Sequence, residues 1–102
     1  MKGIDIIIAE SSDIMLNGIT ALLNGRPEIN ITRKVSGLGS LSELLISSPE
    51  EIVLIGPILS EKYPREIRNG IKADFPSVKV VEIDLKDEQN SIIQKIIKAS
   101  KS

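Results

Sequence analysis

A run of four apolar residues, Ile52–Ile55, occurs near the middle of the chain and ends at Gly56 and Pro57. A short apolar run bounded by turn-forming residues is typical of a strand that is buried on both faces, as in the middle of a parallel sheet. In open parallel sheets, functional sites lie beyond the carboxyl ends of such strands. The sequence therefore predicts a central strand whose tip, Gly56, has no side chain that could react.

Three further strands are predicted, and a helix follows each of the four. The predicted strands are Ile4–Ala9, Ile29–Val35, Ile52–Ile55 and Val78–Ile83. The helices are indicated by apolar residues at helical spacing: Asp13–Asn24, a segment after the capping box Ser40-x-x-Glu43, a segment that begins at Pro64, and a segment with Ile92, Ile93, Ile96 and Ile97 on one side. Repeated strand–helix units form a parallel sheet with helices on both faces. We expect one doubly wound α/β domain over residues 1–102.

The first predicted helix carries two local expectations. Ser11 or Ser12 precedes the helix and can cap it, because a serine oxygen accepts a hydrogen bond from an N–H of the first turn. Gly18 lies in the middle of the helix, where glycine is unfavourable. Its presence predicts close packing of this helix on a strand.

Composition excludes several classes of function. The chain has no Cys and no His, so disulfides, thiol catalysis and the commonest general base and metal ligand are absent. The formal net charge of −1 gives no electrostatic reason to bind nucleic acid or an anionic membrane. No apolar run reaches the length of about 18 residues that a membrane span needs, and acidic residues interrupt the N-terminal segment too early for a signal peptide. We expect a cytoplasmic protein that by itself binds neither nucleic acid nor membrane.

The first strand–helix unit, IDIIIAESSDIMLNGITALLNGRPEIN, and the later segments PEEIVLIGPILS and IRNGIKADFPSVKVVEIDLKDEQNSIIQKIIKAS resemble the receiver domain of bacterial response regulators. The resemblance extends over nearly the whole chain and is strongest to the branch usually fused to a LuxR-type helix-turn-helix domain. It implies a CheY-like, flavodoxin-like sheet with strand order 2-1-3-4. The fifth strand and helix of the family would be missing.

The phosphorylation site of receiver domains is degenerate in this sequence. In the family, two adjacent acidic residues after the first strand bind Mg²⁺, and these positions are Glu10 and Ser11 here. The aspartate that accepts the phosphoryl group corresponds to Gly56, and the Thr or Ser that senses it corresponds to Asp84. Phosphoryl transfer needs a nucleophile and an oxygen-ligated cation. The resemblance therefore implies a pseudo-receiver that is not an enzyme, needs neither metal nor cofactor, and acts independently of phosphorylation.

Three alternatives stay open. Glu10, Asp13 and Asp84 would provide oxygen ligands for a divalent cation if the fold brought them together. Ser11 and Ser12, at a helix N-terminus, would suit the phosphate of a nucleotide or flavin on a flavodoxin-like domain, although helix capping also explains them. The chain would also fit a receiver fragment of a longer transcriptional response regulator.

The missing fifth strand predicts an interaction surface. The strand Val78–Ile83 would be unpaired on its outer side, and part of one sheet face would be uncovered. An open edge strand favours pairing with another chain. We expect a protein partner, which would be a second copy in a homodimer, a response regulator or a kinase. The predicted surface comprises Val78, Val80, Val81, Ile83, Ile92, Ile93, Ile96 and Ile97.

Overall fold

The computed structural model describes residues 3–47 and 52–101 and contains one four-stranded sheet. The strands are β1 (Ile4–Ala9), β2 (Ile29–Val35), β3 (Ile52–Ile55) and β4 (Lys79–Glu82). All neighbouring strands are parallel, in the order β2-β1-β3-β4. The predicted strand order is confirmed, and all four residues of β3 are buried, as a strand with a neighbour on each side requires.

The helices include one element that the sequence did not indicate, and the predicted helix that begins at Pro64 is confirmed. The helical elements are α1 (Asp13–Leu23), α2 (Leu38–Ser47), α3 (Pro57–Lys62), α4 (Pro64–Glu66) and α5 (Gln89–Lys101), and a π-helical segment, Ile67–Lys72, continues directly from α4. Helix α3 was missed because Pro57 was interpreted as a turn residue, whereas proline is favourable in the first turn of a helix. In the described ranges, no helix is both long and apolar enough to cross a membrane.

Two apolar clusters cover the two faces of the sheet, since successive side chains of a strand point to opposite faces. Ile7, Val53 and Ile55 pack under α2, α3 and the π-helical segment. Ile8 and Leu54 pack under α1 and α5 on the other face. The expectation that part of one face is uncovered was wrong. After a short loop, β4 is followed by α5, which packs beside α1 against β1 and β3.

The ends of α1 follow the sequence, but its middle does not. Ser12 caps the helix, because its Oγ accepts a hydrogen bond from the N–H of Met15 at 3.2 Å. After Leu23, Gly25 has a φ of 83°, a left-handed conformation that favours glycine at a helix end. Gly18 is exposed, and no atom outside its helix lies within 4 Å of a Cβ built there. The predicted close packing at Gly18 was wrong.

The capping box was also wrong. Helix α2 begins at Leu38, two residues before Ser40, so Ser40 lies inside the helix and does not cap it. The apolar face of α2 was correctly predicted, because Leu41 and Leu45 are fully buried and Leu44 packs against the same cluster.

Candidate functional site at the strand tips

Glu10 follows β1 directly, and its side chain points into the protein. It is 0% exposed and is the one buried charged residue in the part of the chain that the structure describes. Its Oε2 accepts a hydrogen bond from the N–H of Ser12 at 2.7 Å, and its Oε1 accepts from the N–H of Ile58 at 3.0 Å and of Leu59 at 3.4 Å. Within residues 3–47 and 52–101, no lysine or arginine pairs with this carboxylate. Among the described residues, the groups that donate hydrogen bonds to this carboxylate are backbone N–H groups.

The carboxylate of Glu10, which follows β1, caps the N-terminus of α3, which follows β3. The first N–H groups of a helix have no partner within the helix, and a side chain just before the helix usually accepts from them. The N-cap residue of α3 is Gly56, which has no side chain to do this. Ile58 and Leu59 are the second and third residues of α3, so Glu10 supplies the missing acceptor from β1. Its negative charge is also favourable at a helix N-terminus.

Gly56 is needed for space and not for its backbone conformation. Its φ is −71°, which any residue adopts. A Cβ built on Gly56 would overlap the Oε1 atom of Glu10 and would lie 2.8 Å from its Cγ and Cδ atoms. Since real Cβ atoms do not approach other atoms so closely, a side chain at position 56 is incompatible with the inward position of Glu10.

The other predicted site residues lie apart from this buried acid. Ser11 is exposed, and Asp13 is exposed in the first turn of α1. Asp84 is exposed in the loop before α5, where its Oδ1 accepts a hydrogen bond from the N–H of Lys86 at 2.8 Å. In the described ranges, no group of three acidic residues is arranged to hold a metal ion. The fold therefore does not bring Glu10, Asp13 and Asp84 together as the hypothetical cation site required.

In the described part of the chain, a groove opens on each of two sides of the strand tips, and Glu10 lines neither of them. One, of about 420 Å³, lies between α3 and the loop before α5. The other, of about 400 Å³, lies between the loops after β1 and β2 and the end of α3. In the second groove, the Nζ of Lys62 lies 5.6 Å from the centre of the Tyr63 ring. The two grooves leave the buried carboxylate covered.

Most of the predicted interaction residues belong to the protein's own core. The buried ones are Val78, Val81, Ile83, Ile92, Ile93 and Ile96. The apolar side of α5 is not a surface, because α5 uses it to cover the sheet. Val80 and Ile97 are half-buried, and they remain, with the backbone at the outer side of β4, as the accessible part of the predicted surface.

Sequence reasoning had identified Glu10 as a remnant of a metal site and missed its capping role. A signal was present, because the acid directly follows a run of apolar residues that ends β1. A helix start at Pro57 that lacks a capping side chain would have been the second signal. The capping role of Glu10 could not be predicted from these two signals, because the sequence pattern assigns Pro57 to a turn and not to a helix start.

No family model and no curated protein matches this sequence. Solved receiver domains do match its structure. The receiver domain of the response regulator NarL from Mycobacterium tuberculosis covers 97% of this chain at a TM-score of 0.61 and 12% identity, with 79% of that chain aligned. The isolated receiver domain of RcsB from Salmonella enterica serovar Typhimurium, solved with the phosphomimetic BeF₃⁻, covers 97% at a TM-score of 0.66 and 19% identity, with 73% of that chain aligned. The fold is that of a receiver domain.

A longer RcsB structure, described for its conformational dynamism in DNA interaction, matches the same receiver fold at a TM-score of 0.55 and 18% identity. The match covers 98% of this chain and 50% of that one. At such identities the likeness concerns the fold alone. Within that receiver fold, the tip of β3 is Gly56 and the space above it holds the carboxylate of Glu10.

Proposed function

We propose that this chain is a pseudo-receiver, a non-catalytic module of bacterial signal transduction that binds other proteins and does not depend on phosphorylation. The observation that carries the proposal is the position of Glu10. Its buried carboxylate occupies the space above Gly56 where the side chain of a phosphoacceptor would stand.

The chemistry of phosphoryl transfer supports this proposal. The reaction needs an accessible nucleophile, a cation held by oxygen ligands and stabilisation of the transferred charge. Gly56 has no nucleophile, and both oxygens of Glu10 already accept backbone hydrogen bonds inside the protein. Asp84, at the position of the residue that senses the phosphoryl group, is negatively charged and would repel that group. We therefore expect that Gly56, Glu10 and Asp84 do not perform the roles that the family assigns to these positions.

The test is exposure to a small phosphodonor. The protein is incubated with acetyl phosphate and Mg²⁺, and intact mass and acid-labile phosphate are measured, with a receiver domain that has its aspartate as the positive control. We expect no phosphoryl group on this chain and no change in its amide NMR spectrum on addition of BeF₃⁻ and Mg²⁺. Stoichiometric labelling of any residue at the strand tips would contradict the proposal.

A double variant removes two obstacles to phosphorylation at once. In Glu10→Gly combined with Gly56→Asp, the space is freed and the acceptor is restored. We expect this double variant also to stay unlabelled, because Ser11 and Asp84 leave the metal and phosphoryl contacts incomplete. Labelling of the double variant would show that Glu10 and the missing acceptor at position 56 had together prevented phosphorylation.

The fold limits the surface to which a protein partner can bind. A second copy, a response regulator or a kinase would have to bind outside the apolar side of α5, because its buried isoleucines are used in the core. A homodimer through β4 stays a prediction that sedimentation at micromolar concentration tests. The nucleotide or flavin alternative is tested by thermal shift with a panel of these ligands, where stabilisation would favour it.

A further inference from the structure

The outer side of β4 offers backbone groups that no other described strand uses. β4 ends the sheet and pairs with β3 only. The N–H of Ile83 donates to the carbonyl oxygen of Ile55 at 3.2 Å, so the backbone of Ile83 faces β3. In a parallel strand, successive residues turn their N–H and C=O groups to opposite sides. Val81 therefore faces β3, whereas Val80 and Glu82 turn their backbone groups outward.

A groove of about 310 Å³ runs beside this edge. It lies between β4 and the last turns of α5, and its lining combines apolar side chains with two lysines and one glutamate. The lining residues are Val80, Val81, Glu82, Lys95, Lys98 and Ala99. Because unpaired backbone groups lie next to an apolar groove, the edge has the chemistry that binds an extended polypeptide segment as an added strand.

The charge around the groove is predominantly positive. The carboxylate of Glu82 is compensated by an ion pair with Lys72 at 3.1 Å. Burial raises the pKa of Glu82, but hydrogen bonds from Ser60 and Lys72 hold it below its usual value overall. Lys95 pairs with Asp87 at 2.7 Å, whereas Lys98 is exposed and has no ion pair in the described part of the chain. The positive charge of Lys98 is therefore available to an acidic partner.

The opposite edge of the sheet is protected, and this difference supports the argument. The register between β1 and β2 shifts between Ile6 and Ile7, which marks a bulge or irregularity. Thr32, Arg33 and Lys34 are consecutive exposed residues of β2. Bulges and charged side chains are the features by which edge strands avoid pairing with other chains. β4 pairs with β3 in a regular register and has two valines at its centre.

From this geometry we infer that β4 binds an extended acidic segment of a different protein as a fifth strand, an inference that rests on the proposed protein-binding function. Pairing of two β4 strands about a two-fold axis normal to the sheet would place both copies of α5 on the same face. The uncompensated charges of Lys98 in the two copies would then lie on the same face and repel. The charge thus favours an acidic segment over a second copy of this chain.

Hydrogen exchange of single amides tests the inference. The probe is a short synthetic peptide of alternating valine and glutamate, and the control is the same peptide with lysine in place of glutamate. In the free protein, the amides of Val80 and Glu82 are expected to exchange fast, whereas those of Val81 and Ile83 are protected. The acidic peptide is expected to protect Val80 and Glu82 as well, and the basic peptide is expected to leave them unprotected.

Two substitutions identify the groups responsible. Val80→Pro removes an outward N–H without removing a hydrogen bond to β3, and we expect it to weaken peptide binding about tenfold. Lys98→Glu reverses the available charge and should weaken binding about tenfold. Lys101→Glu is the matched control, because Lys101 is exposed on α5 outside the groove, and its effect should be less than about twofold. Thermal melting of each variant establishes that it is folded.

Several results would overturn the inference. These are equal binding of the acidic and basic peptides, unchanged exchange at Val80 and Glu82, equal effects of Lys98→Glu and Lys101→Glu, or a homodimer that Val80→Pro dissociates. Each would leave the proposed lack of phosphorylation intact, because that depends on Glu10 and Gly56. Phosphoryl labelling would instead contradict the proposed function while the peptide data at β4 still stood.

Discussion

The strand tips and the outer edge of β4 differ in whether their polar groups have partners within the protein. At the tips, the carboxylate of Glu10 is fully buried, and three N–H groups use its oxygens. At the edge, a short regular strand has outward backbone groups, a half-buried Val80 and an unpaired lysine in the adjacent groove. The polar groups of the first region are satisfied within the protein, whereas those of the second are available to a partner.

This difference shows that one fold can satisfy its polar groups at the strand tips and leave them open at a sheet edge. A helix that begins at the tip of a central strand needs an acceptor for its first N–H groups. Glu10, directly after β1, supplies that acceptor, so the start of α3 does not need a capping side chain at position 56.

The largest expected effect comes from filling the space above Gly56. Gly56→Asp should lower the free energy of unfolding by about 3 kcal/mol, because the new side chain displaces Glu10 from its three N–H donors. Gly56→Ala separates the overlap from the added charge. Gly18→Ala is the matched control, since a Cβ there meets nothing within 4 Å and should stabilise the helix by about 0.5–1 kcal/mol. Urea denaturation measures all three, and unchanged stability of Gly56→Ala would show that the Glu10 side chain readily leaves this position.

A smaller effect distinguishes the centre of the sheet from its open edge. Val53 in β3 is 0% exposed, whereas Val80 in β4 is half-buried. Val53→Ala should therefore destabilise the protein by about 2 kcal/mol, and Val80→Ala by less than about 1 kcal/mol. Chemical denaturation of the two variants provides the comparison. Equal losses would mean that the side of β4 is covered as fully as β3.

The smallest effect concerns Asp87, which holds Lys95 beside the groove. Hydrogen bonds from Lys95 and Ser91 and from the N–H of Asp84 lower the pKa of Asp87 from 3.8 to about 2. Because the pKa is lower in the folded state, the contribution to stability is present above pH 3.8 and is lost as the pH falls from there to about 2. Solvent screening limits it to about 1 kcal/mol. Asp87→Asn should lose this part of the pH dependence in thermal melts, and an unchanged pH profile would contradict the assignment.

The sequence predicted the strands better than the site. The bounds of β1, β2 and β3 were predicted correctly, because short apolar runs and turn residues mark β1 and β3, and mixed apolar and polar residues after a turn mark β2 at the sheet edge. β4 is shorter than predicted, although Val78 and Ile83 at its ends are buried as expected of strand residues. The position of α5 could not be predicted from its apolar stripe, since the same stripe suits either face of a sheet. The inward turn of Glu10 depends on α3 lying opposite it, which only the tertiary structure shows.

The contact between Glu10 and Gly56 also constrains the order in which these two positions can change in evolution. A Cβ at position 56 would overlap the inward Glu10 carboxylate, so the inward position of this side chain goes together with glycine at position 56. Because the first N–H groups of α3 use this carboxylate, a larger residue at position 56 is harmful until position 10 changes as well. Single substitutions that lead away from this pair of residues therefore cross a fitness valley.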